Sequence, residues 1–595
     1  GLTGQFFKQF AITIAISTVI SAFNSLTLSP ALSALLLKDH HAPKDRLTRG
    51  MDFAFGWIFR PFNRFFDWAS HKYSNGVARL LRLSVIALIV YVGLLGATAG
   101  LFKTIPSGFV PTQDKQYLVA FTQLPAAASL ERTDAVIRRM ADIALKHPGV
   151  ANAIEFPGLS INGFTNSPNS GIVFVALKDF DERKSKDLSG PAIAAQLQKE
   201  FNEIQDSFIA IFPPPPVQGL GTIGGFKLYV EDRGANGLDA LYNSTQDLVG
   251  KAAQTPGLAG VFSGFTINTP QLAADVDRVR AKALGIPLQS VFETMQINLG
   301  SLYVNDFNRF GRTYQVVAQA DAPFRDEASD ILRLKARNAA GELVPLGSIV
   351  KVSDTYGPDR VVRYNGYPAA EINGGAAAGF SSGEAEAIME KLAADNLPKG
   401  MVLDWTELTY QKIIAGNTGV LIFPLSILLA FLVLAAQYES FRLPFAVLLI
   451  VPMALLSAMV GVWLTAGDNN IFTQIGLIVL IGLAAKNAIL IVEFAVKLRE
   501  EGKGIVESAL EASRLRLRPI LMTSIAFIAG VFPLVTSSGA GAEMRHAMGV
   551  AVFAGMIGVT IFGLFLTPIF YVLLEKIGVK KTAPVVESDA LPANA

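Results

Sequence analysis

The chain contains no cysteine. Disulfides, thiolate catalysis and Cys-based metal sites are therefore excluded. Histidine is scarce as well, with five residues in 595, and His147 is the only one between residues 103 and 416. With methionine scattered there, the region offers no clustered soft-ligand metal site. No nucleophile–base pair, phosphate loop or metal motif stands out, so an enzyme is not expected and no cofactor is implied. An excess of charge is also missing: 51 Lys and Arg face 49 Asp and Glu. That balance gives no argument for nucleic acid as a partner. The chain opens on Gly1, and the apolar run behind it has no basic n-region and no small-residue cleavage site of a signal peptide. The expectation is a chain that starts inside a larger protein.

What is abundant is apolar sequence. Hydrophobic residues make up 51% and charged residues only 17%, more apolar than an ordinary soluble domain. A span needs roughly 20 apolar residues. Seven segments qualify: Phe10–Leu37, Leu83–Phe102, Asn417–Ala436, Leu443–Thr465, Ile471–Phe494, Pro519–Thr536 and Ala547–Leu574. Thr, Ser and Asn24 interrupt the first, as in helices that face other helices. Loop charge sets the orientation. Lys38, Lys44, Arg46, Arg49, Arg60, Arg64, Lys72, Arg79 and Arg82 follow the first span. Lys497, Arg499, Lys503, Arg514, Arg516 and Arg518 lie between the fifth and sixth, and Lys576, Lys580 and Lys581 in the tail. The turns at Asp468–Asn470 and Ser537–Glu543 carry no Lys or Arg. Every basic loop falls on one side, which is read as cytoplasmic. The first of these loops interleaves Phe53, Phe55, Trp57, Ile58, Phe59, Phe62, Phe65, Phe66 and Trp68 with Arg60 and Arg64. That pattern predicts an amphipathic helix tethered to the membrane surface.

Residues 103–416 form a large polar region, outer by this orientation. Its pattern is strand, helix, strand, repeated. Strands are expected at Tyr117–Leu124, Ala153–Phe156, Ile172–Leu177 and Phe208–Phe212, with helices over Ser129–Lys146 and Gly190–Ile204. A second set comprises Phe226–Val230, Leu238–Gln254, Gly260–Phe265, Val361–Ile372, Ser382–Ala394 and Met401–Trp405. Each set reads as a split β-α-β unit. A segment of about Ile267–Ser353 is inserted in the second. The run Pro213–Pro216 must be extended and links the two.

Lys486 lies inside the fifth span, within IGLAAKNAIL. A buried ammonium in a membrane costs several kcal/mol unless paired, and marks a functional site by default. Some eight residues, Asn487 to Phe494, separate it from the cytoplasmic end, too many for snorkelling. Asn487 adjoins it, and Glu493, seven positions on, shares its helix face. The sixth span opens RLRLRPILMT, where Pro519 suits a first helical turn. Arg516 and Thr523 are seven apart and face one way; Arg514 and Arg518 read as a positive-inside anchor. No Asp or Glu lies at mid-depth in any span besides the marginal Glu493. Either Lys486 is neutral, or its counter-charge lies on a helix outside this chain.

At these residues the sequence resembles the resistance-nodulation-division permeases. GLAAKNAILIVEF, ending at Phe494, resembles their tenth transmembrane helix, and RLRPILMTSIAFIAGVFP (Arg516–Pro533) their eleventh. Supporting matches are LSPAL (Leu28–Leu32), QLP (Gln123–Pro125), SLYVNDF (Ser301–Phe307), RYNGYP (Arg363–Pro368) and AQYES (Ala436–Ser440). The likeness spans all but the last dozen residues. It is strongest for the hydrophobe/amphiphile multidrug branch, with MexF-type pumps nearest in pattern.

The resemblance implies an all-α membrane bundle with seven of the family's twelve helices, plus α+β extracytoplasmic porter subdomains carrying an inserted docking subdomain. On that map residues 1–37 are the sixth helix, 38–82 a cytoplasmic loop with its interfacial helix, and 83–102 the seventh helix. Residues 103–219 are a first porter subdomain, 220–266 and 354–416 a second, and 267–353 the docking insertion. Residues 417–574 hold helices eight to twelve and 575–595 a cytoplasmic tail. A proton relay would comprise Lys486, Asn487, Arg516 and Thr523, facing a pair of aspartates in the part not present here. Substrate contact would fall on Gly158–Asn169, with Leu159, Ile161 and Phe164, and on Val119, Phe121, Phe174, Phe212 and Phe262. The implied function is drug/proton antiport of amphiphiles across the bacterial inner membrane. The implied partners are two further copies in a homotrimer, a periplasmic adaptor and an outer-membrane channel. The alternatives are a metal-exporting relative, which would want clustered Met, Cys or His, and a non-pumping assembly or secretion subunit, which would not need Lys486.

Overall fold

The structure is a computed structural model that describes residues 1–36, 46–416 and 418–578. Leu37, Lys38, Lys44, Asn417, Lys580 and Lys581, named above, lie outside the described residues, as do the side chains of Phe53, Phe55, Ile58 and Phe59.

The chain opens with α1 (Leu2–Leu26) and α2 (Leu28–Leu36). The first span thus starts eight residues before the expected Phe10 and is interrupted. The break is at Thr27, whose hydroxyl donates back to the Phe23 carbonyl at 2.7 Å. Pro30, three residues on, has no backbone N–H to carry the ladder across it. Helix α3 (Arg46–Arg82) and helix α4 (Ser84–Thr104) follow.

Two sheet units come next. The first runs β1 (Tyr117–Gln123), α5 (Leu130–Lys146), β2 (Val150–Leu159), β3 (Asn166–Leu177), α6 (Gly190–Phe201) and β4 (Phe208–Phe212). Strand order is β2-β3-β1-β4, all antiparallel, the arrangement of a split β-α-β unit. Ser129 caps α5 by accepting the Arg132 N–H. The period of two in β1 divides its side chains. Leu118 and Ala120 join Ile137 and Met140 of α5 and Leu197 and Phe201 of α6 in one core. Val119 and Phe121 point to the helix-free face.

The second unit runs β5 (Phe226–Asp232), α7 (Leu238–Ala253) and β6 (Leu258–Phe262). The insertion holds β7 (Thr269–Val276), α8 (Arg278–Ala283), α9 (Leu288–Met295), β8 (Leu302–Arg309), β9 (Arg312–Ala318), α10 (Ala328–Arg333), β10 (Lys335–Arg337), β11 (Leu343–Pro345) and β12 (Val350–Gly357). The chain leaves on β7 and returns on β12, which pair antiparallel over their whole length. The unit closes with β13 (Val362–Tyr364), β14 (Tyr367–Ala376), α11 (Ser382–Asn396), β15 (Met401–Trp405) and α12 (Glu407–Ala415). Its sheet order is β13-β14-β5-β15, with β6 also on β14. The single strand expected over Val361–Ile372 is a hairpin, because Asn365 and Gly366 both adopt positive φ (51° and 89°) and turn the chain.

The membrane part resumes with α13 (Thr418–Tyr438), α14 (Leu443–Leu448), α15 (Val451–Leu464), α16 (Ile471–Glu500), α17 (Ile505–Val535) and α18 (Ala542–Gly578). Among the described residues, seven helices are long and apolar enough to cross a membrane. The fourth span is broken at Leu449–Ile450, just before Pro452. The sixth corrects the expectation for Pro519. This residue lies mid-helix rather than in a first turn, since α17 begins at Ile505 and runs through both Pro519 and Pro533. The amphipathic turns Ile505–Ser513 ahead of the apolar run are helical too, because Ala509 and Ala512 are buried against the bundle.

Helix α18 packs at the centre against α15, α16 and α17. Small residues let the backbones approach. A Cβ on Gly461 would stand 2.3 Å from the Ala554 Cβ, and one on Gly555 2.3 Å from the Leu480 Cδ1. Helix α3 lies against α17 and α18. Tyr73 and Val77 are buried there, and the Tyr73 hydroxyl donates to the Leu564 carbonyl at 2.5 Å. Trp57, Phe62, Phe65 and Trp68 stay exposed on α3.

Candidate functional site

Three groupings of side chains stand out: one between α16 and α17, one on the helix-free face of the first sheet, and one at the foot of the second. In the membrane part, Lys486 is exposed on α16, on a stripe shared with Gly482 and Glu493. Among the described residues its ammonium has no ion-pair or hydrogen-bond partner. Asn487 is one residue on and so about 100° around the helix. It is buried, and its Nδ2 donates to the Ser524 Oγ of α17 at 3.1 Å. Arg516 lies with its guanidinium 4.2 Å from the Phe494 ring centroid, a cation–π contact between α17 and α16. Its Nε is buried with no hydrogen-bond partner among the described residues. Thr523 is exposed and bonds only back to the Ile520 carbonyl, at 3.1 Å. Asn487 and Arg516 therefore join the two helices, while Lys486 and Thr523 remain on open surface. Ser524 was not foreseen. A hydroxyl in an apolar span usually faces another helix, and that was the available signal.

On the first sheet, five of the proposed contact residues are buried in one apolar cluster: Val119, Phe121, Ile161, Phe212 and Phe262. Leu159 and Phe174 pack on it half-buried. The ring centroids of Phe121 and Phe262 are 4.5 Å apart, and Phe121 stacks nearly parallel to Phe212 at 6.2 Å. Phe262 comes from β6, so the cluster joins the two sheet units. Gly260 must be glycine, having φ +60° and a Cβ position 3.0 Å from the Phe212 ring. Phe164 stands apart, half exposed at the tip of the β2–β3 hairpin. That hairpin shortens the expected loop over Gly158–Asn169. Leu159 pairs with Asn166, leaving only residues 160–165 as a turn. Arg360 pins the turn from the second unit, donating to the Asn162 carbonyl at 2.7 Å and to the Thr165 hydroxyl.

Beside the cluster a cavity of about 1060 Å3 opens between the units. Phe208, Phe212, Gly224, Gly260 and Phe380 line it. Of the residues proposed from sequence only Phe212 borders this space. Phe208, 5.7 Å from Phe262 by ring centroid, was missed. Its half-exposure at the start of β4 could not be read from a plain apolar strand.

At the foot of the second sheet, the Lys227 Nζ lies 3.3 Å from the Glu371 Oε2 and 3.6 Å from the Glu407 Oε1. The group ties β5 and β14 to α12, which leads into α13. Burial would lower Lys227, but the two carboxylates outweigh it and hold the ammonium above its usual range. Burial raises Glu407 above the usual carboxylate range, more than Lys227 pulls it down. A raised carboxyl contributes stability that is present below its unfolded value, about 4.3, and is lost as pH rises through the folded value. Glu407→Gln should remove that slope. At pH 7 the variant is expected to be as stable as the parent to within about 1 kcal/mol. Unfolding midpoints of both proteins between pH 4.5 and 8 check this; a variant that loses several degrees at pH 7 contradicts it.

Comparison with known proteins adds to this geometry. A model described as the AcrB/AcrD/AcrF family matches residues 1–575. The chain is 39% identical to the multidrug export protein AcrF of Escherichia coli, over 97% of this chain and 55% of that protein. It is 39% identical to the multidrug/solvent efflux pump membrane transporter MepB of Pseudomonas putida, over 100% of this chain and 56% of that one. Identity to the multidrug resistance protein MdtF of Escherichia coli is 36%, over 97% and 55%. The chain spans about half the length of the curated relatives it matches.

Proposed function

We propose, from the premise that this chain belongs to the AcrB/AcrD/AcrF family of resistance-nodulation-division permeases, that it supplies the basic half of a proton-driven multidrug efflux pump. Lys486 carries the reading: it is a cation on a membrane helix, exposed and without a partner among the described residues. In the whole protein it pairs with carboxylates on a neighbouring helix. Protonation of those carboxylates releases the pair and shifts the helices, and the reverse step resets them. Arg516 and Thr523 flank the path from α17, and Asn487, through Ser524, fixes the spacing of α16 and α17.

The helices here correspond to the sixth to twelfth of twelve. The two sheet units form part of a periplasmic porter, with the inserted β7–β12 segment as its docking element. Amphiphilic compounds bind in the cavity beside Phe121, Phe208, Phe212 and Phe262. Its lining combines phenylalanines with polar side chains such as Gln198, Asn202 and Gln205, which suits amphiphilic compounds. The pump works in the bacterial inner membrane as a homotrimer, with a periplasmic adaptor and an outer-membrane channel.

The test is transport in proteoliposomes. A protein of the relatives' full length is expected to export a fluorescent amphiphile when a pH gradient is imposed. Residues 1–595 alone are expected to export none, because they hold one side of the relay. Gradient-driven export by residues 1–595 alone refutes the paired-charge reading.

A further inference from the structure

Helices α4 and α18 leave an apolar groove of about 330 Å3 between them. Leu83, Ile86 and Val90 form one wall, and Ile561, Phe562 and Phe565 the other. Tyr91 is the only lining residue with a polar side-chain group, and its hydroxyl is spent on the Leu449 carbonyl at 2.7 Å. Leu83, Ile86, Val90 and Ile561 are all more than half exposed, an apolar surface of the kind that marks a contact, and a groove without polar partners does not hold water.

One end of the groove reaches the junction of α3 and α4, where Leu80 and Leu83 line it. Arg79 and Arg82, the residues before these two, are both exposed. Neither guanidinium makes an ion pair or hydrogen bond among the described residues. The depth of this junction is set by the start of the α4 span. Arg82 stands two residues before the span Ser84–Thr104, and further back on α3 Phe65 and Trp68 are exposed, with the Lys72 Nζ 5.9 Å from the Trp68 ring centroid. Aromatic rings beside cations mark the level of lipid headgroups. Two unpaired cations at headgroup depth, over an apolar cleft that runs along a membrane helix, match an amphiphile with an anionic head and a long tail.

We propose that this groove is a binding site for an anionic phospholipid, with an acyl chain between α4 and α18 and the phosphate on Arg79 and Arg82. The assignment needs these helices to span a membrane and this face to meet lipid in the full-length protein, and is independent of the transport reading.

The test uses the full-length protein in nanodiscs of phosphatidylglycerol or phosphatidylcholine, with bound lipid counted by native mass spectrometry. The parent is expected to retain phosphatidylglycerol and to release phosphatidylcholine. Arg79→Gln with Arg82→Gln should lower phosphatidylglycerol retention at least about tenfold. Ala87→Phe, which fills the groove and leaves both arginines, should lower it similarly; if that variant does not accumulate, the arginine variant decides alone. Equal retention by parent and variants, retention indifferent to headgroup charge, or a co-purifying polypeptide in the groove overturns the proposal.

Discussion

Lys486→Ala in the full-length protein is expected to reduce drug export to background while expression and assembly stay at parental levels. A charge inside a membrane costs several kcal/mol unless it is paired, so it persists where the pairing is used. Lys486 is not part of the packed core of α15, α16 and α18, so its removal leaves that core intact. The loss should therefore fall on transport and spare folding. Lys486→Met keeps most of the aliphatic length and should be equally inactive, which separates charge from packing. Asn487→Ala makes the contrast. It breaks the buried bond to Ser524 and should act through stability. The measurements are cell resistance, membrane abundance and chemical cross-linking of the assembly. Parental resistance in Lys486→Ala would sink the relay and favour the non-pumping subunit reading.

Arg183→Ala should give the largest loss of stability in the first sheet unit. Arg183 and Asp114 face each other with side chains 1% and 8% exposed. The guanidinium is bidentate, at 2.8 and 3.2 Å, and also donates to the carbonyls of Lys178 and Leu188. Asp114 accepts in addition from the backbone N–H of Gly190 at 2.7 Å and of Gln116 at 3.0 Å. Removing the cation strands a buried carboxylate, a loss of about 3–5 kcal/mol.

The pH dependence follows from the same contacts. Burial alone would raise Asp114, but Arg183 and the two backbone donors outweigh it and hold the carboxyl below its usual range. Its stabilisation is then complete above the unfolded value, about 3.9, and is lost as pH falls through the lower folded value. In Arg183→Ala burial is less opposed and the carboxyl rises. The deficit against the parent should shrink as pH is lowered toward 4, where the stranded group becomes neutral. The lowest unfolding transition of the full-length protein, followed from pH 4 to 8, reads both effects. A constant deficit over that range contradicts the assignment. The backbone N–H of Asp114 also donates to Glu543 at the start of α18, at 3.2 Å. The segment around Asp114 is therefore also tied to the membrane bundle.

Much of the architecture was legible from local pattern. The seven apolar runs announced seven helices because a span is a matter of length and hydropathy. Lys486 was conspicuous as a charge in such a run. The strand expected over Tyr117–Leu124 puts Val119 and Phe121, named from the resemblance, two residues apart on one face, and both lie in the apolar cluster. Helix ends were harder. Pro519 looked like a first turn because the polar residues before it resemble a loop, yet Ala509 and Ala512 bury that segment and extend the helix.

By itself the sequence determined the number of apolar spans, the strand–helix rhythm of the region between them, and an intramembrane cation with no counter-charge at mid-depth. These depend on composition and on short periods along the chain. Only the tertiary structure decided that Asn487 reaches Ser524 while its neighbour Lys486 faces outward. It also put Phe208 beside Phe262 and closed Lys227, Glu371 and Glu407 into one group. The residues of each grouping lie far apart in the chain. Which of them meet depends on helix rotation and on the packing of one unit against another, and no local pattern encodes that.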